Sequence, residues 1–306
     1  MIIHSEEEVI IVRSLCQYNF YIIFALIIAR LQGKKIIIDV PTPNRVSRRE
    51  IANSDKTPFG KFKSILYLIV SGPVPYWFAH RVVQYAREGE WYLLGNHNKT
   101  KIIGNGIDFD NFHLRRKYPV WPSKRLKLIV VASLNYWHGV DRLFKAMHIF
   151  NNDPSSDFQV DLTVVGEGNV TGELKKLMID LELKDNILFK GILKDSALFN
   201  CYEESHIGVG SLALYRKSLD EASELKAREY TVIGLPFIAS GKDPDFPEGT
   251  VFRYKVANSE ETDSIIQFFR EFEKFYTPID FEDIRLFARE NLDYAAKFKQ
   301  ITLGIL

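Results

Sequence analysis

The sequence predicts an α/β protein built from two doubly wound domains, and three observations carry that prediction. Short, nearly continuous Val/Ile/Leu runs recur along the chain, as expected of strands buried on both faces of a parallel sheet. Longer segments of helical period separate them, giving the β-α alternation of doubly wound domains. At 306 residues the chain is long enough for two cores, and one proline-broken basic stretch marks where it divides.

The elements follow in order. "FYIIFALIIARL" (20–31) is strongly apolar but shorter than the roughly 20 residues a bilayer-spanning helix needs, so it is expected as a buried helix. "KIIIDV" (35–40), "RVVQ" (81–84) and "KIIG" (101–104) are the strands of the first domain. "HLRRKYPVWPSKRLK" (113–127), broken by Pro119 and Pro122, is the expected linker. "LKLIVVAS" (126–133), "DLTVVG" (161–166), "NILFKG" (186–191), "HIGVG" (206–210) and "LPFIAS" (235–240) are the strands of the second domain. Helices are expected at 140–150, 171–182, 195–204 and 223–233. The predicted division is therefore 1–120, 121–280, and amphipathic helices over 281–306 that pack back toward the first domain. A doubly wound domain normally opens with a strand and a glycine-rich turn. No glycine precedes Gly33, so the first domain is expected to lack both.

Composition is that of an ordinary soluble globular protein, with 46% hydrophobic and 26% charged residues. The net charge of +1 conceals an asymmetry: residues 1–120 hold 17 Lys/Arg against 10 Asp/Glu, and the remainder 23 against 29. The basic half suits an anionic substrate or membrane surface, or is a solvated imbalance. Cys16 and Cys201 form no CxxC pair, so neither a metal site nor a disulfide framework is expected, and a reducing cytoplasm fits. The N-terminus lacks the basic and apolar regions of a signal peptide. "KTPFGKFKSILYLIVSGPVPYWFAHR" (56–81) mixes lysines with aromatics and aliphatics. It reads as a packed helix with exposed lysines or as a surface resting on an anionic bilayer. No nucleic-acid-binding motif accompanies it.

Three strand-to-helix turns carry candidate chemistry. "VVGEG" places Gly166 and Gly168 after a strand, where backbone amides can approach a phosphate, or where the chain simply turns tightly. A nicotinamide dehydrogenase reading of that turn is poor, because it lies in mid-chain and lacks a third glycine at the right spacing. "VASLNYWHGVDRL" offers Ser133, Asn135, His138 and Arg142 at the carboxyl end of a strand, where open α/β sheets bind ligands. "LDEASELKAREYTVIGLPFIAS" (219–240) carries Glu221 and Glu229 around the start of a helix capped by Ser223 and stopped by Gly234. On that helix Ala222, Lys226, Glu229, Tyr230 and Ile233 share one side. Either the carboxylates are solvated beside Lys226 and Arg228, or they serve a ligand.

As an ordered set these turns resemble the retaining, nucleotide-sugar-dependent glycosyltransferases of family 4, which have the GT-B fold. "KIIGNGIDFDNF" (101–112), "LIVVASLNYWHGVDRLFKAM" (128–147), "LTVVGEG", "ILFKG", the Glu221-x7-Glu229 pair and "GLPFIAS" come in the family's order. "IDVPTP" (38–43) and "SELKAREY" (223–230) are similar to bacterial polysaccharide and capsule transferases. The resemblance implies two Rossmann-like domains facing a cleft. It implies that Glu229 binds the ribose hydroxyls and that Glu221, with His138, lies at the transferred sugar. The amides of Ala222, Ser223, Glu224 and Leu225, with Gly166 and Gly168, would meet the diphosphate.

The family usually has Arg and Lys where Ser133 and His138 stand, so the resemblance looks to Arg142 or Lys226 for the missing positive charge. It implies transfer with retention, from a nucleotide-sugar to a saccharide or lipid-linked acceptor, in surface polysaccharide synthesis. The acceptor side would fall in residues 1–115, with association at the inner face of the membrane as one reading. No metal or other cofactor is expected, and "DPD" (243–245) reads as a chance Asp-x-Asp. The alternative is a silent homologue acting as a partner or scaffold, which the Ser133 and His138 departures favour.

Overall fold

The computed structural model describes residues 7–13, 20–52, 57–112, 115, 117–277 and 279–305. The chain divides into two compact units, Met1–Gly104 with Lys297–Leu306, and Asn105–Ala296.

The first unit holds β1 (Val9–Arg13), α1 (Phe20–Leu31), β2 (Lys35–Val40), α2 (Asn44–Ala52), α3 (Pro58–Ser71), β3 (Arg81–Gln84), α4 (Glu90–Leu93) and β4 (Thr100–Ile102). The strands form one parallel sheet in the order β1-β2-β3-β4. The edge strand β1 pairs Val9–Arg13 with Lys35–Asp39, so a strand does precede α1, contrary to the expectation that the first domain lacks its opening strand. Its five residues carry no flanking glycine or proline to punctuate them. Ile36, Ile38 and Val40 point to one face, covered by Leu26 and Ala29 of α1 and by Tyr76. Ile37 and Val83 point to the other, against Ile301 and Ile305. Helix α3 starts where Thr57 accepts a hydrogen bond from Gly60 N (3.2 Å), with Pro58 in its first turn.

The second unit holds β5 (Arg125–Val131), α5 (Val140–Asn151), β6 (Gln159–Val165), α6 (Thr171–Asp180), β7 (Ile187–Gly191), α7 (Asp195–Glu203), β8 (Ile207–Val209), α8 (Leu225–Val232), β9 (Phe237–Ser240), β10 (Arg253–Val256), α9 (Asp263–Tyr276) and α10 (Phe281–Asn291). A last helix, α11 (Tyr294–Thr302), begins here. The sheet is parallel throughout, in the order β10-β9-β8-β5-β6-β7. One face packs on α5 and α9 through Phe144, Met147, Phe268 and Phe272, and the other on α8 and α10 through Tyr230, Ile233, Ile284 and Ala288.

The division falls at Gly104, earlier than the predicted boundary at 120. Residues 105–120 are not a free linker. Ile107 N donates to Leu292 O (2.9 Å), Tyr294 N donates to Ile107 O (3.1 Å), Phe109 is buried, and Arg115 reaches Ser205 O (2.7 Å). The polar, proline-bearing composition that suggested a linker is that of a strap laid over a folded domain. Helix α10, expected in a separate tail, is part of the same core. Helix α1 departs from its predicted burial: Tyr21, Phe24 and Leu31 are exposed along one stripe.

Candidate functional site

Strand order reverses beside β5, which has β6 on one side and β8 on the other, so the loops after β5 and β8 flank a switch point. The β5 loop, residues 132–139, is held by its own side chains. Asn135 N donates to His138 Nδ1 (3.1 Å), while the Asn135 side chain accepts from the His138 backbone. Because Nδ1 is the acceptor, the neutral ring carries its proton on Nε2. Burial, with Lys226 and Lys217 nearby, pushes the His138 pKa down to about 3, so the ring is neutral at physiological pH. Gly139 turns the chain at φ +65°, and a Cβ there would lie 2.9 Å from Ala213 Cβ.

The β8 loop ends at α8. Glu224 precedes the helix, and its carboxylate accepts from Ser211 N (2.8 Å). One residue on each side of Glu229 anchors it. Arg228 is fully buried, with its guanidinium between Asp243 and Asp245 and its Nε donating to Asn105 O (3.2 Å). Burial opposes that charge, yet the two aspartates hold its pKa above the usual guanidinium value. Tyr230 lies over Gly208, where a Cβ would meet its ring at 2.6 Å. Its hydroxyl accepts from Val131 N (3.2 Å) and donates to Val209 O (3.2 Å), tying α8 to both β5 and β8. Glu229, half-buried between them, accepts from Tyr202 OH (3.4 Å), and burial raises its pKa.

Lys226 completes the cluster. Its ammonium is shielded from solvent, makes no hydrogen bond, and pairs with Glu224 at 3.6 Å. Burial lowers its pKa, opposed by Glu224 and then Glu229. His138, Lys226, Glu224 and Glu229 therefore form one electrostatically coupled group at the carboxyl ends of β5 and β8.

Other residues expected in the site fall elsewhere or serve the backbone. Arg142 is fully buried and donates to the carbonyls of Leu212, Ala257 and Glu261, so its charge is spent on structure. A Cβ on Gly166 or Gly168 would meet Ala132 O at 2.0 Å or Leu134 O at 2.2 Å, so loop packing alone requires both glycines. Ser133 is exposed, and its carbonyl accepts from Asn135 (2.8 Å). Ser223 is not the helix cap: its hydroxyl accepts from Asn105 N (2.6 Å), and the helix starts two residues later at Leu225, which is exposed. The Ala222 amide donates to Lys242 O (3.0 Å), part of a bridge that places Glu221 beside Lys242. Asp243 and Asp245, read as a chance pair, are the counter-ions of Arg228. The sequence reading passes over Tyr202 and Ser211 and takes Arg228 only as a solvated neighbour of the glutamates, because their partners are remote in the chain. Among the described residues no His, Cys, Asp or Glu side chains group as a metal site.

Residues 112–249 match the family model of glycosyl transferases group 1. That span runs from the strap through the β5, β6 and β8 loops and α8. No curated protein matches the chain in sequence. Among solved structures, the chain is similar to the apo form of the lipopolysaccharide outer core galactosyltransferase WaaB, with 10% identity, 100% of this chain, 77% of that chain and a TM-score of 0.62. It is similar to HepE of Anabaena in complex with UDP, with 15% identity, 93% and 77% of the two chains and a TM-score of 0.59. Sucrose-phosphate synthase from Thermosynechococcus elongatus shares 16% identity over 96% of this chain and 72% of its own, with a TM-score of 0.62. The two-sheet α/β architecture is thus of the GT-B type, and the group 1 transferase match lies on the second sheet.

Proposed function

We propose that the chain is a nucleotide-sugar-dependent glycosyltransferase whose donor binds at the carboxyl ends of β5 and β8. The observation that carries this reading is Lys226, a desolvated ammonium without a hydrogen bond, set between Glu224 and Glu229. Paired with Glu224 at 3.6 Å but without a hydrogen bond, this buried ammonium still has donors to offer to an anionic ligand. With Arg142 committed to backbone carbonyls, Lys226 is the residue that supplies positive charge to the diphosphate. The first N–H groups of α8 have no partner within the helix and add to it.

The roles follow from chemistry. Glu229 accepts from the two ribose hydroxyls as a bidentate, charge-assisted contact. His138, neutral and protonated on Nε2, donates to the sugar or the diphosphate without adding charge. Glu221 stands at the sugar end. Departure of the nucleoside diphosphate builds negative charge on its oxygens, and fixed donors aimed there lower the barrier. The transfer proceeds with retention and without a metal, to a saccharide or lipid-linked acceptor held by residues 1–104, in surface polysaccharide synthesis.

Calorimetric titration with UDP and GDP, beside Glu229→Ala, tests the reading. Saturable binding by the wild-type chain, lost in the variant, supports it and selects the nucleotide for transfer assays. A folded chain that binds neither nucleotide is instead a silent homologue with a partner role.

A further inference from the structure

The loop after β8 and the start of α8 meet at one carboxylate oxygen. Glu224 stands immediately before α8, and its Oε2 accepts a hydrogen bond from Ser211 N (2.8 Å). The same oxygen lies 3.6 Å from Lys226 Nζ. All three residues are withdrawn from solvent: Ser211 is buried, and the side chains of Glu224 and Lys226 are 12% and 10% exposed. A main-chain N–H of the β8 loop and an ammonium of α8 therefore share one anionic acceptor.

What those two groups need defines what can sit there. A buried N–H without an acceptor is costly, and so is a buried ammonium without a counter-charge. Whatever takes the place of Glu224 must be an oxygen acceptor and an anion at once, and a phosphoryl oxygen is both. The place can also change hands cheaply. The Glu224 carbonyl accepts from Arg228 N (3.4 Å) and Nη1 (3.3 Å), so the main chain stays fixed while rotation about side-chain bonds withdraws the carboxylate. No movement of α8 is required. A diphosphate brings more negative charge to Lys226 than a single carboxylate does, which favours the exchange.

We infer that Ser211 N and Lys226 Nζ form a phosphate seat in the donor site, and that Glu224 fills this seat as a built-in competitor that a bound diphosphate displaces. The inference rests on the proposed donor site and deepens it. Affinity for a phosphorylated ligand is lowered by the share of molecules in which Glu224 holds the seat, whereas a ligand without phosphate does not contest it.

The test is calorimetric titration of the wild-type chain, Glu224→Ala and Glu224→Gln with UDP, GDP, uridine, guanosine and inorganic pyrophosphate. Thermal melts establish that each variant folds, and Glu224→Gln carries the test where Glu224→Ala does not fold. Glu224→Ala should bind pyrophosphate and the preferred nucleoside diphosphate at least about tenfold more tightly than wild type, with nucleoside affinity unchanged within about twofold. Glu224→Gln, which keeps an oxygen for Ser211 N without the charge, should fall between. The gain should vanish when Lys226→Met is added. Weaker or unchanged binding of the phosphates in both Glu224 variants overturns the inference, because Glu224 then only positions Lys226; nucleotide binding by wild type would leave the donor site standing. Tighter pyrophosphate binding by the variants, with no nucleotide bound by any chain, retains the seat and removes the nucleotide reading. Folded chains that bind neither pyrophosphate nor nucleotide overturn both.

Discussion

Arg228 Nη2 donates to Asp243 Oδ1 at 2.7 Å, with the Arg228 side chain fully buried and that of Asp243 nearly so. The same guanidinium reaches Asp245 and the Asn105 carbonyl. The residue beside Glu229 is thereby anchored to the loop after β9 and to the strap that opens the second unit.

Arg228→Met should therefore destabilise the protein strongly. It leaves two aspartates buried without their counter-ion, a change that costs about 3–5 kcal/mol. Urea denaturation followed by circular dichroism measures it. A loss below 1 kcal/mol would show that the pair contributes little to stability.

Glu229→Ala should behave in the opposite way. Burial disfavours this carboxylate, so its removal leaves stability near wild type. Nucleotide affinity should fall about 10- to 100-fold, as expected for losing roughly 1.5–3 kcal/mol of charge-assisted hydrogen bonding. Unchanged affinity in calorimetry would remove Glu229 from the ribose site.

Lys226→Met separates the diphosphate from the rest of the donor. Affinity for a nucleoside diphosphate should fall roughly tenfold or more, while affinity for the bare nucleoside stays within about twofold. Equal losses for both ligands would mean that Lys226 acts by shaping the fold. Arg142→Met should instead lower the unfolding midpoint, because Arg142 spans the carbonyls of Leu212, Ala257 and Glu261.

Two neutral histidines set an acid limit. Burial holds His138 near about 3 and His206 near about 4, both below the ordinary value of 6.5. The unfolded chain takes up these protons first, so stability is present above about pH 6.5 and is lost as pH falls toward 4. Each histidine contributes a slope of about 1.4 kcal/mol per pH unit in that window. His206→Asn, which removes a ring packed among Trp121, Phe272 and Tyr276, should lower stability at neutral pH and flatten the slope by one histidine's share. Thermal melts from pH 4 to 7 give both quantities.

Much of the second unit is legible in the sequence. "LKLIVVAS", "DLTVVG" and "LPFIAS" overlap β5, β6 and β9 because buried parallel strands read as unbroken apolar runs. Strand β1 escapes because four apolar residues and an arginine without flanking turn signals look like any short hydrophobic run. Strand β10 escapes because "RYKV" is polar enough for an edge. In the site, the strand-end loops and Glu229 were visible as positions, whereas the employment of the charges was not. "LKARE" presents Lys226, Arg228 and Glu229 as equals, yet burial separates them into a desolvated cation, a structural ion pair and a half-buried carboxylate.

By itself the sequence determined two parallel α/β sheets, the order of their turns and a resemblance to transferases that use activated sugars. These are properties of local periodicity and spacing, carried within windows of a few residues. Tertiary structure decided which charges were already taken. Arg142 and Arg228 are spent on carbonyls and aspartates as many as 123 residues away, and Lys226 keeps an ammonium without a hydrogen bond. It decided equally that the outer stripe of α1, apolar on every side, lies uncovered. Hydrophobic pattern says that a helix has a face to bury, and only packing says how much of the helix the rest of the chain covers.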